Sequence, residues 1–426
     1  MKKTLLIAVA AVMVALGANA QFARVAQKVK GYSYQNDLKL ENVMTKEYQA
    51  PVSKNLTAHR AADATIDGEY ILNADNFEGD FTESTTFTLT SQTGTITLDM
   101  YDGAPSFNYN VVLNDFSYAG AVVYGKYDAE QSIIEIPVQT IYTHATYKEI
   151  VISGGYRKGE TNVGYGKEIY LIVNEDGTMD IDEDVEEEGD EATIGWVSFL
   201  PNYEDGGLWN YGFDIAVMKP NATMTYDTTS KAMGGTGSGW TEVEKRVYVE
   251  DYGSEWVVSN FLGLCPVSVA MNEDNKCAIA LGVKMYDYDQ DEPYGMFRLV
   301  GVSSAGEGYI GRNYDKQFLN GFWEPGYAQF FKIIETEEGK KIDQEDDDYY
   351  PYVAVATAND ADGAAYQLGY AFGIAIETDD HGTTGISETK ANCQKTTGKA
   401  FNLMGQEVYG NAKGLIIRDG KKMINK

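Results

Sequence analysis

The chain reads as all-β, and three observations carry that reading. Tyrosine occurs 31 times. With the Thr, Val and Ile around it, it supplies residue types that suit a pleated, half-buried surface. Forty-four glycines against nine prolines fit a chain with many tight turns. Third, a 24-residue pattern occurs twice, at residues 116–139 and 261–284, aligned without a gap and 145 positions apart. Val122, Tyr124 and Lys126 fall on Val267, Val269 and Met271, and after a polar turn Ile134, Ile136 and Val138 fall on Ile279, Leu281 and Val283. Apolar residues at alternate positions on both sides of a short turn describe a β-hairpin with one buried face. Four of the 24 positions are identical, so pattern and register carry the match.

In chain order, residues 1–20 have the form of a secretory signal peptide. Lys2 and Lys3 form the charged start, an apolar run from Leu5 to Leu16 follows, and Ala18-Asn19-Ala20 places small residues at the cleavage site, so Gln21 is the expected mature start. No further apolar run reaches 18 residues, and no transmembrane span is expected. Residues 21–63 are polar and lysine-bearing (Lys28, Lys30, Lys39, Lys46, Lys54) and show no sustained period. They read as a mobile arm able to lie against an acidic body.

From residue 64 strand patterns follow one another with short turns, the mark of an antiparallel meander. Residues 64–227 form the first expected β-unit. Within it, Asn174-Glu175-Asp176-Gly177 and Thr93-Gly94 carry hairpin-turn chemistry. Residues 228–239 (TTSKAMGGTGSG) have the composition of a flexible linker, and residues 240–379 form the second unit. A second correspondence supports duplication: Tyr211, Phe213, Ile215 and Val217 alternate as Tyr370, Phe372, Ile374 and Ile376 do. The expectation is two tandem antiparallel units, each a β-barrel or β-sandwich of eight to ten strands. The barrel is preferred because closure removes exposed edges.

Charge excludes whole classes of partner. Lys and Arg number 34 against 64 Asp and Glu, a net −30. Such a chain is repelled by phosphate backbones and anionic lipid surfaces, so nucleic acid is not an expected partner. Three cysteines (Cys265, Cys277, Cys393) make no disulfide framework. In the hairpin register Cys277 falls across from about Ala270, and Cys265 and Cys277 read as small core side chains.

Candidate sites are few. Ten of the sixteen residues from Asp176 to Glu191 are acidic, and a second acidic run spans residues 345–348. Both read as solvated loops. Asp287, Asp289 and Asp291 with Glu292 place alternate carboxylates where a hard cation such as Ca²⁺ could gather them. The sixth loop position is Glu292 instead of the turn glycine, so a solvated loop is the preferred reading there and Ca²⁺ the alternative. Of five tryptophans, Trp209 (in EDGGLWNYG) and Trp323 (in NGFWEPG) sit in glycine-rich surroundings and are the candidate ligand-stacking rings. His59, His144 and His381 are scattered, and no metal-binding or nucleophile motif accompanies them.

The last residues carry a family resemblance. Gly385-Ile386 is followed by Ala400-Phe401-Asn402-Leu403-Met404-Gly405-Gln406-Glu407-Val408, then Lys413-Gly414-Leu415-Ile416-Ile417-Arg418-Asp419-Gly420-Lys421-Lys422, with Lys426 at the end. Read physically this is a small β-sheet with glycine turns. In order and spacing residues 380–426 resemble the C-terminal sorting domain of the type IX secretion pathway of Bacteroidota. The resemblance implies recognition by secretion machinery, export across the outer membrane, and removal of the tail with attachment or release. The two β-units are loosely similar to calycin-like β-barrel modules, through Ile136-Pro137-Val138-Gln139 and the meander. The expected protein is therefore secreted or displayed at the outer surface, with the periplasm as alternative. Its expected role is a non-enzymatic binding module, without an obligate cofactor, for an extracellular glycan or protein ligand. A structural surface protein and a carboxylate-based hydrolase are the alternatives.

Overall fold

The structure is a computed structural model. It describes most residues between 66 and 379, a strand at 39–42 and strands between 400 and 425; residues 183–192, 288–295 and 303–327 are the longest internal stretches outside that description. Every regular element among the described residues is a strand. They form two closed eight-stranded antiparallel barrels, as expected, and a separate four-stranded sheet.

After β1 (Lys39–Asn42), the first barrel begins with β2 (Gly68–Asp75), β3 (Thr82–Thr97), β4 (Ser106–Phe116), β5 (Ala121–Asp128) and β6 (Ile133–Ile136). An excursion of β7 (Gln139–His144), β8 (Lys148–Lys158) and β9 (Asn162–Lys167) leaves the barrel. The chain re-enters through β10 (Ile169–Val173) and β11 (Met179–Ile181), passes through β12 (Gly195–Leu200) and closes with β13 (Gly207–Met218). The barrel runs β2-β3-β4-β5-β6-β10-β11-β13 and back to β2. The first half of β13 pairs instead with β12, which continues into a side sheet through β8, with β7 and β9 on it.

The second barrel repeats this plan. It comprises β14 (Ala222–Thr228), β15 (Thr241–Asp251), β16 (Glu255–Phe261), β17 (Cys265–Met271), β18 (Lys276–Ala280), β21 (Ala328–Glu335), β22 (Lys340–Gln344) and β24 (Ala365–Thr378). Its side sheet is β24, β23 (Tyr352–Ala358), β20 (Met296–Val302) and β19 (Lys284–Asp287). The last strand of each barrel thus serves both barrel and side sheet. The turn onto the side sheet is marked by one left-handed residue, Asp214 (φ 47°) in the first and Gly373 (φ 61°) in the second. They lie 159 positions apart, as do the two alternating runs that contain them.

Eight strands leave an interior that side chains can fill. In the first barrel an aromatic column does so: Tyr70 stacks on Phe87 (5.4 Å between ring centres), Phe87 meets Phe116 edge-on (5.3 Å), and Phe116 meets Trp196 (5.9 Å). The second core mixes rings and aliphatic groups, among them Trp256, Phe261, Phe331, Val258, Val267 and Ile279. Cys265 and Cys277 are buried thiols there, as expected; Cys277 pairs with Met271, one residue from the expected Ala270. Cys393 lies outside the described residues.

The repeated hairpin differs from its expected register. Asp115 and Ser117 are left-handed, as are Asn260 and Leu262 145 positions later, so the corner after Phe116 and Phe261 is the same in both barrels. Beyond it, Phe116 pairs with Ala121 whereas Phe261 pairs with Cys265, a loop one residue shorter. The lumen-facing set is accordingly Ala121, Val123 and Gly125 in one barrel and Cys265, Val267 and Val269 in the other, and Val122 is 38% exposed. A one-residue slip moves every side chain to the other face. Adjacent valines at 122 and 123 conceal that slip in the sequence.

Two turn assignments change. Thr93-Gly94 is not a hairpin turn but lies within β3, beside a register shift between Ser91 and Gly94. Gly94 faces Tyr109 across the ladder, and a Cβ there would lie 2.2 Å from the Tyr109 hydroxyl oxygen, so the glycine makes room for a ring. Asn174–Gly177 is the expected turn: the Asn174 and Gly177 N–H groups donate to the Thr178 and Asn174 carbonyls, with Gly177 left-handed.

The expected linker is also reassigned. Residues 222–228 are β14, the strand that closes the second barrel between β15 and β24, so the expected linker begins in β14 and leads from it to β15 of the same barrel. The loop is tethered: the Tyr226 hydroxyl donates to the Met233 carbonyl (2.5 Å), Ser230 Oγ donates to the Leu368 carbonyl, and Met233 is buried. The seam between barrels is residues 219–221 alone. Asn221 fixes it by exchanging side-chain hydrogen bonds with the Val249 backbone (2.9 and 2.7 Å).

The barrels also touch beyond those three residues, through β2, β3 and β16. Asn73 Nδ2 donates to Ser259 Oγ, Ser84 Oγ donates to Asn73 Oδ1, and the Asn260 N–H donates to Ser84 Oγ (2.9, 2.6 and 3.0 Å). Phe81, which precedes β3, is buried in the core of the second barrel. Part of the N-terminal arm also joins a sheet, since β1 pairs in parallel with β9. Residues 383–426 form a separate compact unit with β25 (Ala400–Phe401), β26 (Glu407–Val408), β27 (Gly414–Arg418) and β28 (Lys421–Asn425), in the order β26-β25-β27-β28. The signal-like residues 1–20 lie outside the described residues.

Candidate functional site: an open aromatic triad on the second barrel

Apolar side chains line both lumens, so a large ligand such as a glycan meets the protein at its surface. The two barrels treat equivalent aromatic positions in opposite ways. Phe213 in β13 and Phe372 in β24 occupy the same place, one residue before the left-handed turn. In the first barrel Phe213 is sealed. Phe77 meets it edge-on (6.0 Å), and the Arg157 guanidinium lies 4.9 Å above its ring. Arg157 is held by donating to the Phe77 and Asn76 carbonyls (2.8 and 3.2 Å) and to Asp214 Oδ2 (2.6 Å). The far ends of β3 and β4 extend this cover, contributing Ile96 from β3 and Phe107 and Tyr109 from β4 to a second core over the side sheet.

In the second barrel the position is open. Phe372 is 37% exposed, and its left-handed neighbour is a glycine with no carboxylate to anchor a clamp. Trp240, immediately before β15, is 49% exposed and stacks on Tyr352, the first residue of β23, at 5.5 Å and 24°. Phe372 meets Tyr352 at 5.5 Å and Trp240 at 6.1 Å, both edge-on. Single exposed apolar side chains are ordinary, but three rings in mutual contact form a patch. Such a surface presents flat π-faces and C–H edges, which suits the apolar face of a sugar ring or another flat neutral group.

The residues singled out in the sequence fare differently. Trp209 is 5% exposed and belongs to the first barrel's core, so it is no open platform; its counterpart 159 positions on is Leu368, which also packs on a core. Trp209 lies within β13, opposite a register shift between Ser198 and Phe199; residues 203–206, which precede that strand, lie outside the described residues. The outer edge of Trp209 does meet His144 (5.8 Å) and Tyr147 (5.9 Å) at the β7–β8 turn. His144 Nδ1 accepts the N–H groups of Thr146 and Tyr147 (3.1 and 3.2 Å), which leaves that ring building a turn. Trp323, Asp289, Asp291 and Glu292 lie outside the described residues, and Asp287 is known only as the last residue of β19. Among the described residues no group of three or more His, Cys, Asp or Glu is placed to hold a metal. His59, His381 and most of both acidic runs also lie outside them.

Sequence reasoning missed Trp240, Tyr352 and Phe372. A ring in a strand shows the period of its strand but not whether a distant hairpin covers it. The signal that was available is the swap of Asp214 for Gly373 between the two repeats. No protein-family model, curated protein or solved structure matches this chain.

Proposed function

We propose that the protein is a secreted or surface-displayed, non-enzymatic binding module that engages a neutral extracellular glycan through Trp240, Tyr352 and Phe372. The observation that carries this reading is the open triad itself, at a position that the sister barrel seals with Arg157 and Phe77. A net charge of −30 disfavours polyanionic ligands, which leaves neutral sugars as the flat partners that suit these rings. The signal-like start and the tail resembling a type IX sorting domain support an extracellular destination, with the tail as the contact for secretion machinery.

A panel of neutral and acidic glycans tests the binding. Saturable binding to neutral members that Trp240→Ala abolishes supports the proposal; binding unchanged in that variant contradicts it. Destination is read separately, by intact mass after fractionation of a native type of host. A surface or medium species starting at Gln21 and lacking the tail is expected. A periplasmic species ending at Lys426 contradicts export. The hydrogen-bonded seam between the barrels favours a second reading, a rigid surface spacer, which predicts no saturable ligand.

A further inference from the structure

The duplication exposes a buried polar site that only the first barrel has. Ser117 and Ser198 are fully buried and Asn210 is 1% exposed. Ser117 Oγ, Ser198 Oγ and Asn210 Oδ1 have no hydrogen-bond partner among the described residues. Two strands and a corner bring these residues together. Ser117 follows β4 at its left-handed corner, Ser198 lies in β12, and Asn210 in β13 pairs directly with Ser198 across the ladder. The Asn210 amide donates to the Ser117 carbonyl (2.6 Å), which fixes the side chain and directs its oxygen away from that contact. Ser198 shares a face with Trp196 and Leu200, between Val197 and Phe199, which point to the other core.

In the second barrel the same three places are apolar. Leu262 stands for Ser117 with the same left-handed backbone, Gly369 for Asn210, and Val355, which pairs with Gly369, for Ser198. The repeat fold therefore does not require polar groups there. Three polar residues, far apart in sequence and converging only in one copy, are each costly to bury unpaired. All three are neutral, so an ion would be desolvated without compensation. A hydroxyl group, in contrast, can donate to Asn210 Oδ1 and accept from a serine at once.

We propose that Ser117, Ser198 and Asn210 form an internal binding site for a neutral hydroxyl-bearing guest, either ordered water or a small polyol. The guest joins the corner after β4 to the β12–β13 ladder; in the second barrel the space beside Gly369 is taken by Ser230 and Met233. This site is independent of the open triad.

A crystal structure of the full mature chain, at a resolution that shows ordered water, is the test. The expected result is a density peak about 2.7–3.0 Å from Asn210 Oδ1 and from at least one serine Oγ. Native mass measurement separates the two sources: no added mass identifies water, and a bound small mass identifies a polyol. Direct hydrogen bonding between the serines and Asn210, with no peak, overturns the proposal. Ser198→Val supplies a second readout, since the sister barrel accepts Val355 at that place. With a guest present the variant lowers the melting temperature by a few degrees, because the guest loses a partner. A rise, the result of removing a merely unpaired hydroxyl, overturns it.

Discussion

At the scale of single residues, several positions have meaning only through a partner across the sheet. Gly212 pairs with Trp196, and a Cβ on Gly212 would lie 2.2 Å from the indole ring. That ring fills the first barrel's core, so it cannot retreat without disturbing Phe116. Gly212→Ala should therefore destabilise the protein by about 1–3 kcal/mol, the usual cost of overpacking; chemical denaturation measures it. A glycine of this kind looks like turn chemistry in the sequence, as Thr93-Gly94 does, because composition does not reveal which ring lies opposite.

Buried titratable groups give a second expectation at this scale. Burial, with Glu345 adding to it, pushes the Cys277 thiol from 9.0 up to about 12. Burial also raises the Tyr70 and Tyr226 phenols above their ordinary 10.0. Each of these groups stays protonated in the folded state after the unfolded state has begun to lose its proton. Their contribution is complete below about pH 9 and falls as pH rises further. Lys245 acts in the opposite sense, since burial lowers its pKa from 10.5 and the strain of its charge is relieved as pH rises toward that value. The net expectation is a stability plateau that declines from about pH 9. Cys277→Ala should move the onset toward the phenol range near pH 10, measured as melting temperature against pH. An unchanged onset counts against Cys277 as its origin.

At the scale of elements, the position of the seam decides what can fold alone. A fragment beginning at Trp240, where composition suggests a boundary, lacks β14 and leaves β15 and β24 without the strand that joins them. A fragment of residues 220–382 keeps all eight strands and also the Arg246–Asp379 ion pair, which ties β15 to the end of β24. The longer fragment should unfold cooperatively and the shorter should not, as read by thermal circular dichroism. Element existence was legible in the sequence: the alternating runs Tyr211–Val217 and Tyr370–Ile376 became β13 and β24. Strand β14 was not, because TMTYDTT runs without a break into a Gly/Ser/Thr stretch. That stretch is a tethered loop because Tyr226 and Ser230 hold it, and neither contact leaves a mark in composition.

At the scale of the whole molecule, one closed barrel is built twice, and the copies are joined at a short seam. The all-β class and the duplication were readable from alternation; the slip of register between the repeated hairpins was not, since both faces of β5 carry valine. The candidate site was not readable either, because it depends on what the first barrel covers and the second leaves open. Phe81 gives the mechanical consequence of the seam. Although it precedes a strand of the first barrel, it is buried in the core of the second. Phe81→Ala should cost about 3–5 kcal/mol, and it should split one thermal transition into two if the barrels now melt apart.

The most direct measurement of the central claim is tryptophan fluorescence during titration with the strongest neutral ligand from the glycan panel. Trp196, Trp209 and Trp256 are buried, whereas Trp240 is half-exposed in the open triad. The account predicts a saturable emission change with protection from an aqueous quencher, both lost in Trp240→Phe, with binding weakened about tenfold or more in Phe372→Ala. A saturable change that persists in Trp240→Phe with unaltered affinity would place the ligand elsewhere and contradict the account.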